Sequence, residues 1–233
     1  MERELADVRL HLTAFEGEPH TRLGCRSMPI TDYEARLRES LDSTLREASE
    51  FFMGGGDVRK TMRRLAESLA AESIPYAVLG GLALGEHGYV RMTDDVNIVL
   101  TPWGLERFVS TFVGRGYAPA FPGATRAFRD AETGVRVEIL VTGEYPGDGK
   151  PKPVSFPDPD ASAIEVDGIR VIELPRLVEL KLASGMTAPD RLRDLADVQE
   201  LIRAENLDDS FAARLDQSVR EKFLELVASV KRR

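Results

Sequence analysis

The sequence predicts an α+β fold: a small mixed β-sheet flanked by helices, followed by a helical C-terminal part. Three observations carry this. An apolar run, Tyr76 to Leu79, meets Gly80-Gly81, a short helical piece and a turn around Gly88, and a second apolar strand then begins at Asp95. Between residues 117 and 172, short apolar stretches alternate with Gly-containing turns, the mark of strands. At both ends, apolar residues recur every three or four positions, which puts them on one face of a helix.

Residues 1–28 are mixed and poorly periodic, with Gly17, Pro19 and Gly24 as breakers, and read as a loose arm. Thr31-Asp-Tyr-Glu34 has the form of a capping box, in which a hydroxyl and a carboxylate three residues apart satisfy backbone amides reciprocally. One amphipathic helix is expected from there to Phe52, carrying Leu37, Leu41 and Leu45. Gly54-Gly-Gly56 ends it, and Asp57 is expected to cap a helix running to about Ala71 with Met62, Leu65 and Leu69 inward. After the two strands, Pro102 starts a helix with Leu105, Phe108, Val109 and Phe112 buried. Strands follow at 117–119, 125–129 and 135–142, the last two joined by Glu132-Thr-Gly134. A loop rich in Gly, Pro and Lys spans 143–159. Asp167-Gly168 between two apolar runs signals a two-residue hairpin. Pro175 and Pro189 open two helices, the second with Leu192, Leu195, Val198, Leu201 and Ile202 buried, and a last helix runs from about Asp209. Three parts are expected: an arm and helix at 1–56, a core at 57–174 and helices at 175–233.

Composition narrows the class. The 233 residues are 42% hydrophobic and 30% charged, ordinary for a globular protein. A net charge of −8 supplies no basic field for general nucleic-acid binding and leaves a tRNA end only a local patch to meet. Cys25 is the one cysteine, so no intrachain disulfide and no cysteine-rich zinc site can form. No apolar run approaches the roughly 18–20 residues of a membrane span, and the N-terminus lacks a signal-peptide core. A cytoplasmic protein without membrane contact is expected.

The chemistry concentrates between residues 78 and 100. A Gly-Gly turn lets backbone amides approach a phosphate, because no Cβ intervenes. Asp95 and Asn97, two apart on a strand, share a face and offer oxygen to a hard cation such as Mg²⁺. Glu138 stands in the middle of an apolar strand, where an unpaired carboxylate is costly. It is either a third oxygen ligand or the partner of Arg136 on the same face. The other residues carry alternatives too. Gly80-Gly81 can be a plain strand-to-helix turn, and Asp95 can pair with Arg91. Asp94 should point away from Asp95, onto the surface. His87 reads as a surface or helix-end residue. Lys181, among leucines, is either a snorkelling lysine or a ligand-facing cation. Arg193, Asp194 and Asp197 suit ion pairing around one helical turn. Lys150 and Lys152 suit a solvated loop, and Arg59, Lys60, Arg63 and Arg64 a solvated helix face.

Gly80-Gly81, then Asp95-Val96-Asn97, then Glu138, with Lys181 and Asp194-x-x-Asp197 downstream, resembles the polymerase-β-like nucleotidyltransferase superfamily over roughly residues 60 to 204. Within it the pattern is most similar to the minimal bacterial group that includes the AbiEii-type toxins. The resemblance implies a nucleotidyltransferase-type sheet and Mg²⁺-dependent transfer of a nucleoside monophosphate from a nucleoside triphosphate to a hydroxyl. The acceptor would be a tRNA end, a protein or a small molecule. It implies Asp95, Glu138, Lys181 and Asp194 as catalytic residues, Gly80, Gly81, Lys181 and Asp197 as nucleotide contacts, and Asp95, Asn97 and Glu138 as metal ligands. One departure stands out: position 97 holds Asn where the family pattern has Asp. An amide ligates without charge, which favours weaker Mg²⁺ binding, a shift toward Mn²⁺, or a role as a nucleotide-binding regulator or toxin–antitoxin partner.

Overall fold

The computed structural model describes residues 32–232; the expected arm at 1–28, Cys25 and the expected cap at Thr31 lie outside them. The chain begins with two short helices, α1 (Tyr33–Glu39) and α2 (Leu41–Phe52). Where one helix was expected, Ser40 is extended (φ −156°, ψ 157°) and its hydroxyl accepts from Ser43 N, starting a new helix. The break turns Leu41 and Leu45 outward, 72% and 57% exposed, while Phe51 is buried. Helix α3 (Gly56–Ala71) follows. Its end is not capped by Asp57, as expected; Asp57 sits in the first turn, and its backbone N–H donates to Glu47 of α2. A helix can borrow such an acceptor from a neighbour, since its first amides lack internal partners.

The sheet comprises β1 (Tyr76–Leu79), β2 (Asp95–Leu100), β3 (Tyr117–Pro119), β4 (Ala127–Asp130), β5 (Arg136–Val141), β6 (Ala163–Val166) and β7 (Ile169–Ile172). Spatial order is β3-β4-β5-β2-β1-β7-β6, with β2–β5 and β1–β7 parallel and the other pairs antiparallel. The expected mixed sheet is therefore present, with seven strands. Central β1 is buried at every position, as an unbroken Tyr-Ala-Val-Leu run requires. Asp167 and Gly168 both take positive φ (50° and 77°), as the two-residue turn of the β6–β7 hairpin demands.

Helix α4 (Gly80–Glu86) joins β1 to the loop before β2, and α5 (Pro102–Phe112) is capped by Thr101, whose hydroxyl accepts from Gly104 N. A short helix, α6 (Pro159–Ser162), occupies the end of the expected loop because Asp158 caps it and Pro159 presets its first turn. Helix α7 (Leu174–Thr187), a 3-10 turn (Pro189–Arg191) and α8 (Leu192–Ala204) follow. Leu192, expected inside, is 66% exposed because it lies at the junction of turn and helix. The expected last helix is a 3-10 turn (Asp209–Arg214) and then α9 (Gln217–Lys231). One hydrophobic core draws on most of these elements, from Tyr33 to Val227. Among the described residues, no helix is long and apolar enough to cross a membrane.

Candidate functional site

The sheet register assembles the site. Leu79 lies opposite Asn97 across the antiparallel β1–β2 pair, so the Gly80-Gly81 turn leaves the sheet beside the start of β2. In the parallel β2–β5 pair, Asp95 neighbours Arg136 and Asn97 neighbours Glu138. Side chains two apart on a strand share a face. Asp95, Asn97, Arg136 and Glu138 therefore form one patch, drawn from strands some forty residues apart in sequence.

Within the patch, Thr93 Oγ1 donates to Asp95 Oδ1 (2.8 Å) and Asn97 Nδ2 donates to Asp95 Oδ2 (3.0 Å). Both oxygens of Asp95 are thus held. Arg91 does not pair with Asp95. Glu138 is about a third exposed and has Arg136 3.5 Å away, so the alternative partner is at hand but weakly engaged. The two glycines have separate reasons. Gly80 takes φ 65°, and a Cβ there would lie 2.9 Å from Asn97 Nδ2. Gly81 has ordinary φ, but a Cβ there would meet Thr93 Cβ at 2.8 Å. The Gly-Gly turn is packed directly on the side chains that hold Asp95. Thr93 is the residue that sequence reasoning missed; its place two before Asp95 was the available signal.

Beside the patch lies a buried charge cluster. Lys181 Nζ donates to Asp197 Oδ2 (2.7 Å) and Asp194 Oδ1 (2.9 Å), and Ser184 Oγ donates to Asp194 Oδ2 (2.7 Å). Arg91 forks onto both oxygens of Asp197, Nε at 2.9 Å and Nη2 at 3.0 Å. Asp197 is 2% and Lys181 6% exposed. The cluster therefore ties α7 and α8 to the loop that presents Asp95. Both expected acids pair with Lys181, and Lys181 does not snorkel.

A cavity of about 860 Å³ opens over these groups. Gly80, Gly81, Asp95, Asn97, Glu138, Lys181 and Asp194 line it, whereas Asp197 lies behind Lys181 and is not exposed to it. The volume falls within the range of small-molecule sites. Asp94, expected on the surface, is exposed but stands at the cavity wall. Further along, Leu37, Leu140, Phe156, Leu177 and Leu180 supply an apolar wall.

Other singled-out residues are structural. His87, expected at the surface or at a helix end, stands at a helix end and is buried, and its Nε2 bonds Ile172 O at 2.7 Å. It lies at the C-terminus of α4 and fastens that helix to β7. Lys152 is folded against Pro146, Asp148 and Thr187 and pins the 143–157 loop to the end of α7, while Lys150 is exposed as expected. The face with Arg59, Lys60 and Arg64 is braced by Glu86, Asp57 and Asp130 respectively. Tyr33 donates to Glu47 at 2.9 Å, and burial together with that carboxylate pushes the phenol far above its usual range.

No family model matches the chain, and no curated protein does. Among solved structures, it is similar to an antigenic nucleotidyltransferase-like protein from Paracoccidioides brasiliensis: 16% identity, TM-score 0.46, covering 75% of this chain and 92% of that one. It is also similar to JHP933 from Helicobacter pylori, with 18% identity, TM-score 0.43, and coverage of 75% and 89%.

As a metal site, the patch offers two carboxylates and one amide. Among the described residues, no group of three His, Cys, Asp or Glu side chains gathers in metal-binding geometry. The donors still fit a hard cation. Turning the Asn97 amide over presents its oxygen beside Asp95, so all three residues then offer oxygen.

Proposed function

We propose that this protein is a nucleotidyltransferase. The observation that carries the reading is the register of β2 on β5, which sets Asp95, Asn97 and Glu138 on one face beside a Gly-Gly turn, in a cavity large enough for a nucleotide. Asp95, Asn97 and Glu138 would hold Mg²⁺, or Mn²⁺, which when bound polarises the phosphates and offsets their charge. The chain's own groups do the rest. Gly80 and Gly81 let Asn97 and Thr93 pack against the turn, and the turn's backbone lines the cavity where phosphate oxygens would lie. Glu138, about a third exposed, accepts the proton of the acceptor hydroxyl. The acceptor oxygen bonds to the α-phosphorus, the bond to the β-phosphate oxygen breaks, and pyrophosphate leaves. Lys181, Asp194 and Asp197 hold the cavity wall in register with Asp95. The acceptor is a hydroxyl on a tRNA end, a protein or a small molecule.

A second reading is favoured by one contact. Asn97 donates its amide to Asp95, so the site holds that carboxylate by hydrogen bond and carries one negative charge fewer than a carboxylate at position 97 would bring. Such a site suits a weakened catalyst, hence a nucleotide-binding regulator or toxin–antitoxin partner. The test is a thermal melt with each nucleoside triphosphate, with and without Mg²⁺, followed by a pyrophosphate-release assay. The nucleotidyltransferase reading expects stabilisation that Asp95→Ala abolishes, and pyrophosphate release. Stabilisation without release supports the regulator. No shift with any of the four nucleotides removes both.

A further inference from the structure

Four cations line the cavity: Arg91, Lys181, Arg191 and Arg193. Two are spent. Lys181 is held by Asp194 and Asp197, and Arg91 grips Asp197 with two nitrogens. Withdrawing either toward a ligand would leave a carboxylate that is 2% exposed with less than its full complement of charge, and uncompensated buried charge is strongly unfavourable. The other two come from the 3-10 turn and the first turn of α8. Arg191 and Arg193 are exposed at the cavity wall, and among the described residues neither has a carboxylate partner or a side-chain hydrogen bond.

We propose that Arg193, with Arg191 beside it, receives the β- and γ-phosphates of the nucleoside triphosphate, and that Lys181 does not. The proposal rests on the nucleotidyltransferase reading and deepens it. A guanidinium presents a planar fork that matches two phosphate oxygens at once, and it remains charged at any working pH. Its hydration is weaker than that of an ammonium, so a ligand displaces water from it more readily. Lys181 then serves as a positioning residue: it fixes α8, which carries Arg193 and follows directly on Arg191, at the edge of the cavity.

The test is calorimetric titration of the full chain with a nucleoside triphosphate and the corresponding monophosphate, in Mg²⁺. The wild type should prefer the triphosphate. Arg193→Ala should lose about tenfold or more in triphosphate affinity, the value of a charge-assisted contact, with monophosphate affinity and the ligand-free melting temperature unchanged. Arg193→Lys should recover only part of the loss, and Arg191→Ala should show a smaller one. Lys181→Met should lower the melting temperature and weaken both nucleotides alike. Wild-type preference for triphosphate that survives in both arginine variants overturns the proposal, as does a loss of that preference confined to Lys181→Met. If the wild type binds neither nucleotide, the nucleotidyltransferase reading itself falls.

Discussion

Replacing Lys181 by Met tests the charge cluster directly. Met keeps the length and apolar stem of the side chain and removes only the ammonium. In the wild type that ammonium lies 2.7 Å from Asp197 and 2.9 Å from Asp194. Breaking a buried ion pair by removing one partner costs about 3–5 kcal/mol. Asp197 would retain Arg91, and Asp194 would retain Ser184, so the low end applies, about 3 kcal/mol. For a chain of this size each kcal/mol moves the melting temperature by about 2–4 °C, giving a fall of about 6–12 °C. Urea denaturation followed by circular dichroism measures the free energy, and a thermal melt measures the temperature. One internal check sharpens the result. Adding Asp194→Asn to Lys181→Met should recover part of the loss, because it removes a carboxylate left without its cation. A loss below about 1 kcal/mol, the level of exposed pairs, would mean that the cluster is effectively solvated and that α8 is not braced in this way.

Thr93→Val should leave the melting temperature near wild type but weaken metal and nucleotide binding about tenfold, because the hydroxyl that orients Asp95 is gone; Thr93→Ser should restore it, and equal calorimetric affinities for all three proteins would remove Thr93 from the site. Asn97→Asp should lower stability in EDTA, where two carboxylates face each other, and tighten Mg²⁺ binding; affinity that is unchanged or weaker in a metal titration would show that position 97 is not a ligand. Tyr33 is held protonated in the fold while its unfolded value is about 10, so its contribution is present below that pH and lost as pH rises above it. Stability should therefore fall less steeply above about pH 10 in Tyr33→Phe than in wild type, measured by urea melts across that range; matching slopes would contradict the assignment.

Much of the fold was legible because its signals are local. The Asp167-Gly168 turn needs positive φ at both positions, and few other pairs supply it. The Tyr76–Leu79 run, closed by two glycines, and the periodic stripe around Phe108 declared their elements locally. What failed was set by single side-chain contacts that leave no period in the sequence. Asp57 looked like a cap, but the helix starts one residue earlier, and Glu47, ten residues before it, accepts from its amide. Ser40 broke a helix that the leucine spacing had carried through, and a hydroxyl that can cap either side of a break leaves no periodic trace. In the site, Asp95 and Asn97 were readable as a same-face pair because strand period fixes it. Their pairing with Glu138 was readable only by resemblance, since nothing in the sequence states that β2 runs beside β5. The Arg91–Asp197 fork joins residues 106 apart and left no mark at all.

That fork changes what the C-terminal helices are for. A fragment ending near residue 188 would keep every strand and every oxygen ligand, and on a motif map it would look complete. It would nonetheless leave Arg91 and Lys181 as two cations with no carboxylate to meet, one in the loop that leads into Asp95 and the other on the wall above it. Like charges released at such a spot push apart, and the loop would lose its anchor on the side facing the ligand. The last helices thus work as the far abutment of an arch whose keystone is in the first half of the chain, and cutting them away would fail at the keystone.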